Sequence, residues 1–192
     1  VHPLFRALWQ PRLVAALETF EQKIAAAEAS EDRKVVASEI KGEMVFNGVK
    51  IKGRADRIDR LADGSLAIVD YKTGKAPKDR QVAEGFALQL GLLAFIAEQG
   101  GFEGVQGDAD AFEYWSFQRE GGRPGKISSP AGNSGNKIPP DIFVETMVIK
   151  FKEAAAKWLS GREPFTAKLN PDYARSDYDH LMRLEEWQGR DA

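Results

Sequence analysis

Apolar residues recur at helical spacing from Leu4 to about Ala29, at Leu13, Ala16, Leu17, Phe20, Ile24 and Ala27, with Pro11 where a helix begins or bends. This predicts one long amphipathic helix. The pattern then changes period. Lys34 to Phe46 is rich in β-branched and alternating residues, and Asn47-Gly48 is a two-residue hairpin signal leading into Val49-Lys50-Ile51. The extended pattern continues through Arg60 to a second turn at Ala62-Asp63-Gly64, after which Ser65 to Tyr71, with Leu66-Ala67-Ile68-Val69 at its centre, reads as a buried strand. Val82 to Gln99 is apolar on most sides of a helix and is expected to be largely buried. Ala111 to Gln118 predicts another strand, Glu120 to Asn136 a mobile Gly/Ser/Pro-rich loop, and Asp141 to Leu159 a final helix stopped near Gly161. A helix, three meandering strands, a helix, a strand and a helix imply an α/β fold, a mixed β-sheet flanked by α-helices.

The chain has 192 residues, 43% hydrophobic and 29% charged, an ordinary composition for a single globular domain. The expected division is an N-terminal helical segment over 1–33, a core over 34–160 and a tail over 161–192 packed on that core. A first residue Val1 followed by His2-Pro3 reads as a piece of a longer polypeptide. No apolar run approaches a membrane span, so no membrane partner is expected. The absence of cysteine excludes disulfides, thiolate zinc sites and cysteine-ligated clusters. With imidazole limited to His2 and His180, a metal would be held by carboxylates, which suits a hard ion, Mg²⁺ or Mn²⁺. The formal charge of −2 is neutral on nucleic acid, because a binding face needs only local positive charge.

The second hairpin carries the chemistry. If its register centres on Asp63, Asp56 lies directly across from Asp70, with β-carbons about 4.5–5.5 Å apart. Two carboxylates so close repel unless a proton or a cation sits between them. Alternation puts Lys72 on the same side as Asp70, while Tyr71 points away and offers its backbone carbonyl. A bulge at the Gly64 turn would move Asp56 to the wrong side. Acidic residues beside turns and an isolated Asp-x-Lys are also common on ordinary surfaces, so the conjunction of segments carries the reading.

Gly53-Arg54-Ala55-Asp56, Asp70-Tyr71-Lys72 and Gln89 on the following helix resemble the motifs of the RecB-like branch of the PD-(D/E)XK nuclease superfamily. GRADRID, IVDYKTGK, QVAEGFALQLGLLA and the ending Tyr178-Asp179-His180-Leu181 look like the nuclease domains at the carboxy terminus of AddB-type components of bacterial helicase–nucleases. The resemblance implies a restriction-endonuclease-like fold and metal-dependent DNA hydrolysis, of exonuclease type, in double-strand break repair and recombination. It implies Asp56, Asp70 and the Tyr71 carbonyl as metal ligands, Lys72 as catalytic lysine, and Gln89 lining the site. Glu39 matches an acidic position of such domains and equally fits a solvated edge residue. Single-stranded DNA ends, an AddA-like partner subunit and a cytoplasmic bacterial setting follow from the same resemblance.

Three departures stand out. Leu93 replaces the tyrosine of the Gln-x-x-x-Tyr motif and reads as core. The iron–sulfur cluster of related domains needs four cysteines, so none is expected and the tail is left to packing by Tyr173, Tyr178, Leu181 and Trp187. The upstream motif histidine is missing; His2 reads as an ordinary end residue. Arg54, Thr73, Lys75 and Lys78 are the expected DNA contacts, Lys75 and Lys78 in a basic cluster with Lys72 and Arg80. Arg57 and Asp59, facing away from Asp56, are expected to form a structural ion pair, and Trp9, Trp115, Trp158 and Trp187 to pack in apolar segments. The alternative is a DNA-binding or scaffold module of the same fold with impaired catalysis. A different phosphotransfer enzyme is weak, since no GxxxxGK[ST] loop is present.

Overall fold

The structure, a computed structural model, describes residues 10–29, 33–120 and 122–163. His2, Trp9, Tyr173, Tyr178, His180, Leu181 and Trp187, and with them most of the predicted tail packing, lie outside the described residues. The chain divides into two compact units, residues 1–151 and 152–192, and the whole sheet lies in the first.

Helix α1 (Gln10–Ala29) precedes the long strands β1 (Arg33–Phe46) and β2 (Val49–Leu61), then β3 (Leu66–Lys72). Asn47 and Gly48, with φ of 49° and 77°, join the first two strands in the left-handed turn that an Asn-Gly pair favours. The order β1-β2-β3-β4-β5 is antiparallel except between β3 and β4 (Ala109–Glu120), which run parallel. A parallel neighbour needs a crossover, and short α2 (Asp79–Ala83) and α3 (Gln89–Glu98) occupy it. The expected mixed sheet with flanking helices is therefore present.

Two layers cover the sheet. On one face α3 and α4 (Phe143–Ala154) bury Leu90, Leu93, Ile96, Phe143 and Met147 against Ile58, Leu66, Ile68 and Phe112. On the other, α1 sets Ala16 and Phe20 against Val69 and Trp115. Gly53 lets α3 approach β2, because a β-carbon there would lie 2.7 Å from Leu93 Cδ2.

Three expectations are corrected. The apolar stretch Val82 to Gln99 is two helices, not one: Gly85 at φ 88° ends α2, with its N–H on the Val82 carbonyl, and the chain restarts at Gln89. The predicted mobile loop contains β5 (Arg123–Ser128), paired to β4 at the sheet edge, where a strand tolerates proline. The last helix ends at Ala154 and continues as a wider turn over Ala155–Leu159.

Candidate active site

The ladder between β2 and β3 pairs Arg57 with Val69, Ile58 with Ile68, Asp59 with Ala67 and Arg60 with Leu66, a register centred on Asp63. One step further, Asp56 reaches the far strand through its side chain: the Tyr71 N–H donates to Asp56 Oδ2 at 2.9 Å. The Gly64 turn introduces no slip between these strands.

Beside Asp56 the sheet loses its simple alternation. Ala37 and Ile40 in β1 both pack toward the α3 side, and so do Ala55 and Ile58 in β2, although each pair is three residues apart. Both strands therefore change phase at the same level. Glu39 lies at this point with φ 51°, a sparsely populated conformation for a residue with a side chain. The flanking pairs, Ser38 with Arg57 and Ile40 with Ala55, leave Glu39 across from Asp56. Its carboxylate, however, turns to Arg54, whose Nη1 lies 3.1 Å from Glu39 Oε2.

Asp70 and Lys72 stand on the α3 face of β3. Asp70 is only 2% exposed. The break at Gly85 puts Gln89 in the first turn of α3, and this amide ties the group together: Gln89 Nε2 donates to Asp70 Oδ1 at 2.5 Å, while Gln89 Oε1 accepts from Lys72 Nζ at 2.9 Å. Lys72 Nζ is also 2.7 Å from Asp70 Oδ2. That contact is an ion pair, and this buried oxygen has no further partner among the described residues. Burial raises the Asp70 carboxyl above its ordinary pKa, opposed by Lys72, pushed further by the Asp56 charge and eased by Gln89. An acid in this position gains most from a cation.

Tyr114 was not anticipated from sequence. It is the ladder neighbour of Asp70 in β4, its hydroxyl is buried without a hydrogen-bond partner among the described residues, and its ring lies 5.8 Å from Lys72 Nζ. Only the parallel register of β3 and β4, which joins residues far apart in the chain, brings it here.

The remaining expected residues separate into three groups. Arg57 and Asp59 form the expected pair, Nε to Oδ1 at 2.6 Å, on the opposite face of the sheet. Tyr71 is on that face too, edge-on to Trp115, but it is 41% exposed rather than enclosed in the packing layer. Trp115 is buried and Leu93 is core. Thr73 is exposed just past β3, and Lys75 and Lys78 line an open cleft of about 950 Å³. Arg80 is held by Glu84.

The donor set fits a hard divalent ion. Asp56 and Asp70 offer carboxylate oxygens, one of them buried with only the Lys72 ammonium beside it, and the Tyr71 carbonyl is on the same strand as Asp70. Among the described residues no three acidic or imidazole side chains converge, and Glu39 stays with Arg54. No helix among them is long and apolar enough to cross a membrane.

A family model described as the PD-(D/E)XK nuclease superfamily matches residues 2–176. An uncharacterized protein of Rickettsia typhi is 33% identical over 101 residues, covering 50% of this chain and 12% of that protein. One subunit of an ATP-dependent helicase/deoxyribonuclease of Streptococcus mutans is 60% identical over 38 residues, 20% of this chain and 4% of that subunit. The chain thus spans a small part of the length of these relatives. The crystal structure of SSO0001 aligns over 78% of this chain and 68% of its own at 15% identity, with a TM-score of 0.29.

Proposed function

For a chain that belongs to the PD-(D/E)XK nuclease superfamily, we propose a metal-dependent deoxyribonuclease domain that hydrolyses phosphodiester bonds at single-stranded DNA ends. The observation that carries this reading is the meeting of Asp56, Asp70, Lys72 and Gln89 at one point of the sheet, with a buried Asp70 oxygen whose one partner among the described residues is the Lys72 ammonium.

Asp56, Asp70 and the Tyr71 carbonyl would hold Mg²⁺ or Mn²⁺, which when bound supplies Lewis-acid charge stabilisation and activates water at neutral pH. The chain's own groups do the rest. Asp56 is oriented by the Tyr71 N–H, so its remaining oxygen faces a fixed direction. Lys72 carries the ammonium that stabilises charge developing on phosphate or orients the attacking water. Gln89 fixes both Asp70 and Lys72 in place, and the N-terminal end of α3 adds a favourable dipole for anionic charge. Glu39, across from Asp56, serves as a further acidic group only if it leaves Arg54.

The name of the Streptococcus protein, a subunit of an ATP-dependent helicase/deoxyribonuclease, supports placing the domain in a helicase–nuclease; the processing of double-strand breaks, an AddA-like motor partner and a bacterial cytoplasmic setting are part of the same proposal. A catalytically impaired DNA-binding module of the same fold is the second reading, favoured by the convergence of only two carboxylates among the described residues. End-labelled linear single-stranded DNA incubated with Mg²⁺ or Mn²⁺ separates the two. Wild type degrades it, and Asp70→Ala and Lys72→Ala do not; inert wild type in both metals points to the second reading, and equal activity in all three proteins refutes the site.

A further inference from the structure

The cleft of about 950 Å³ is lined by Lys75, Lys78, Lys126 and Lys137 against a single carboxylate, Asp79. In a chain of formal charge −2 this is a strong local excess of positive charge. Among the described residues the other strongly basic positions near the sheet are mostly neutralised: Lys50 and Lys52 by Glu43, Arg54 by Glu39, Arg33 and Arg57 by Asp59, Arg80 by Glu84. None of the four cleft lysines makes an ion pair within that same set of residues. Lys126 comes from β5, within the stretch Glu120 to Asn136 for which the sequence predicts only a loop, and Lys137 directly follows that stretch.

Strand register ties this cleft to Asp70 and Lys72. Lys72 pairs with Ser116 and Ser116 with Lys126; Asp70 pairs with Tyr114 and Tyr114 with Ser128. Directly paired residues share a face, so Lys126 and Ser128 lie on the α3 side, two strands from the reactive pair, which at strand spacing is roughly 10 Å. The other wall carries Phe86, 47% exposed beside Ala76, Pro77 and Ala87. A duplex keeps its bases stacked and inside, and presents only phosphates to such a wall. An exposed aromatic among lysines matches unpaired bases, which stack on it while the lysines take the backbone.

We infer that the cleft between Lys75–Gln81 with Phe86 and Lys126–Ser129 with Lys137 is the binding track for a single unpaired DNA strand, with Lys126 and Lys137 contacting phosphates and Phe86 stacking on a base. The inference rests on the nuclease reading for its direction toward Asp70, but its test does not depend on cleavage. Fluorescence anisotropy of a labelled single-stranded oligonucleotide in EDTA reads binding by the whole chain at several salt concentrations.

The Lys126→Gln/Lys137→Gln variant is expected to lower the slope of log affinity against log salt by about 1.4, since each phosphate contact contributes roughly 0.7 on a single strand. Phe86→Ala is expected to weaken binding at least about fivefold with the slope unchanged. A blunt duplex of the same sequence binds wild type more weakly. An unchanged slope in the lysine variant, or equal affinity for duplex and single strand, overturns the track even if wild type cleaves DNA. The expected binding pattern without any metal-dependent cleavage leaves the track standing and removes the nuclease reading.

Discussion

Asp59 and Asp70 are both buried carboxylates in the same sheet, on opposite faces, and their surroundings differ in sign. Asp59 is fully enclosed, and both oxygens are taken by guanidiniums: Arg57 Nε at 2.6 Å and Arg33 Nε at 2.5 Å. Arg33 also reaches Glu113, whose second oxygen accepts the Trp115 indole N–H, and Arg57 lies over the Trp115 ring. Two cations meet two carboxylates, and the cluster is neutral. On the α3 face, Lys72 pairs with Asp70 while the Asp56 charge pushes the other way on the same carboxyl. The contrast separates two buried acids of one sheet: the first is balanced by two guanidiniums, the second has one ammonium and a neighbouring carboxylate, the arrangement on which the proposed metal site rests.

The largest expected effect separates the two in activity. Asp70→Asn lowers metal-dependent cleavage by on the order of a thousandfold, the several kcal/mol that charge stabilisation by an ion supplies; its urea midpoint stays at or above that of wild type. Asp59→Asn does the reverse. Arg33 and Arg57 lose their shared buried partner, unfolding in urea comes easier by about 3–5 kcal/mol, and cleavage per folded molecule is retained. A variant pair that loses activity at Asp59 and stability at Asp70 would invert the comparison.

A smaller effect sharpens it by pH. The folded pKa of Asp70 is raised, chiefly by burial, so the uncharged form is the one the metal-free fold favours. Its contribution to stability is complete below the ordinary aspartate range and is lost as pH rises through the raised value. In EDTA, Asp70→Asn therefore gains stability relative to wild type as pH is raised across that window. A difference that shrinks with rising pH would contradict the assignment. The smallest effect concerns Tyr114, whose buried hydroxyl has no partner among the described residues. Tyr114→Phe is expected to raise stability by about 1 kcal/mol in urea titration.

The hairpin was legible because three local signals agree: alternation in β2, an apolar run in β3 and a tight turn at Asp63-Gly64 between them. They fix the register as far as Arg57 with Val69, one step from Asp56 and Asp70. The Arg57–Asp59 pair followed from the same alternation. What was not legible depends on contacts between distant segments. Helical periodicity runs unbroken through Gly85, and only its φ of 88° shows that the chain turns there and starts α3 at Gln89. Strand β5 hides behind Arg123-Pro124-Gly125, residues of low strand propensity; a β-carbon at Gly125 would lie 3.0 Å from Thr19 Cβ, so the glycine answers to α1 packing. Tyr114 and Lys126 join the α3 face only through the β3–β4–β5 register. Glu39 was read in two ways, and its position across from Asp56 coexists with its ion pair to Arg54.

Binding of Mn²⁺ followed by electron paramagnetic resonance tests the contrast between the two aspartates without any substrate. Wild type and Asp59→Asn are expected to take up the ion at the same site, while Asp56→Asn and Asp70→Asn lose it. Equal Mn²⁺ uptake by wild type and Asp70→Asn would contradict the assignment of the α3 face as the metal-dependent centre.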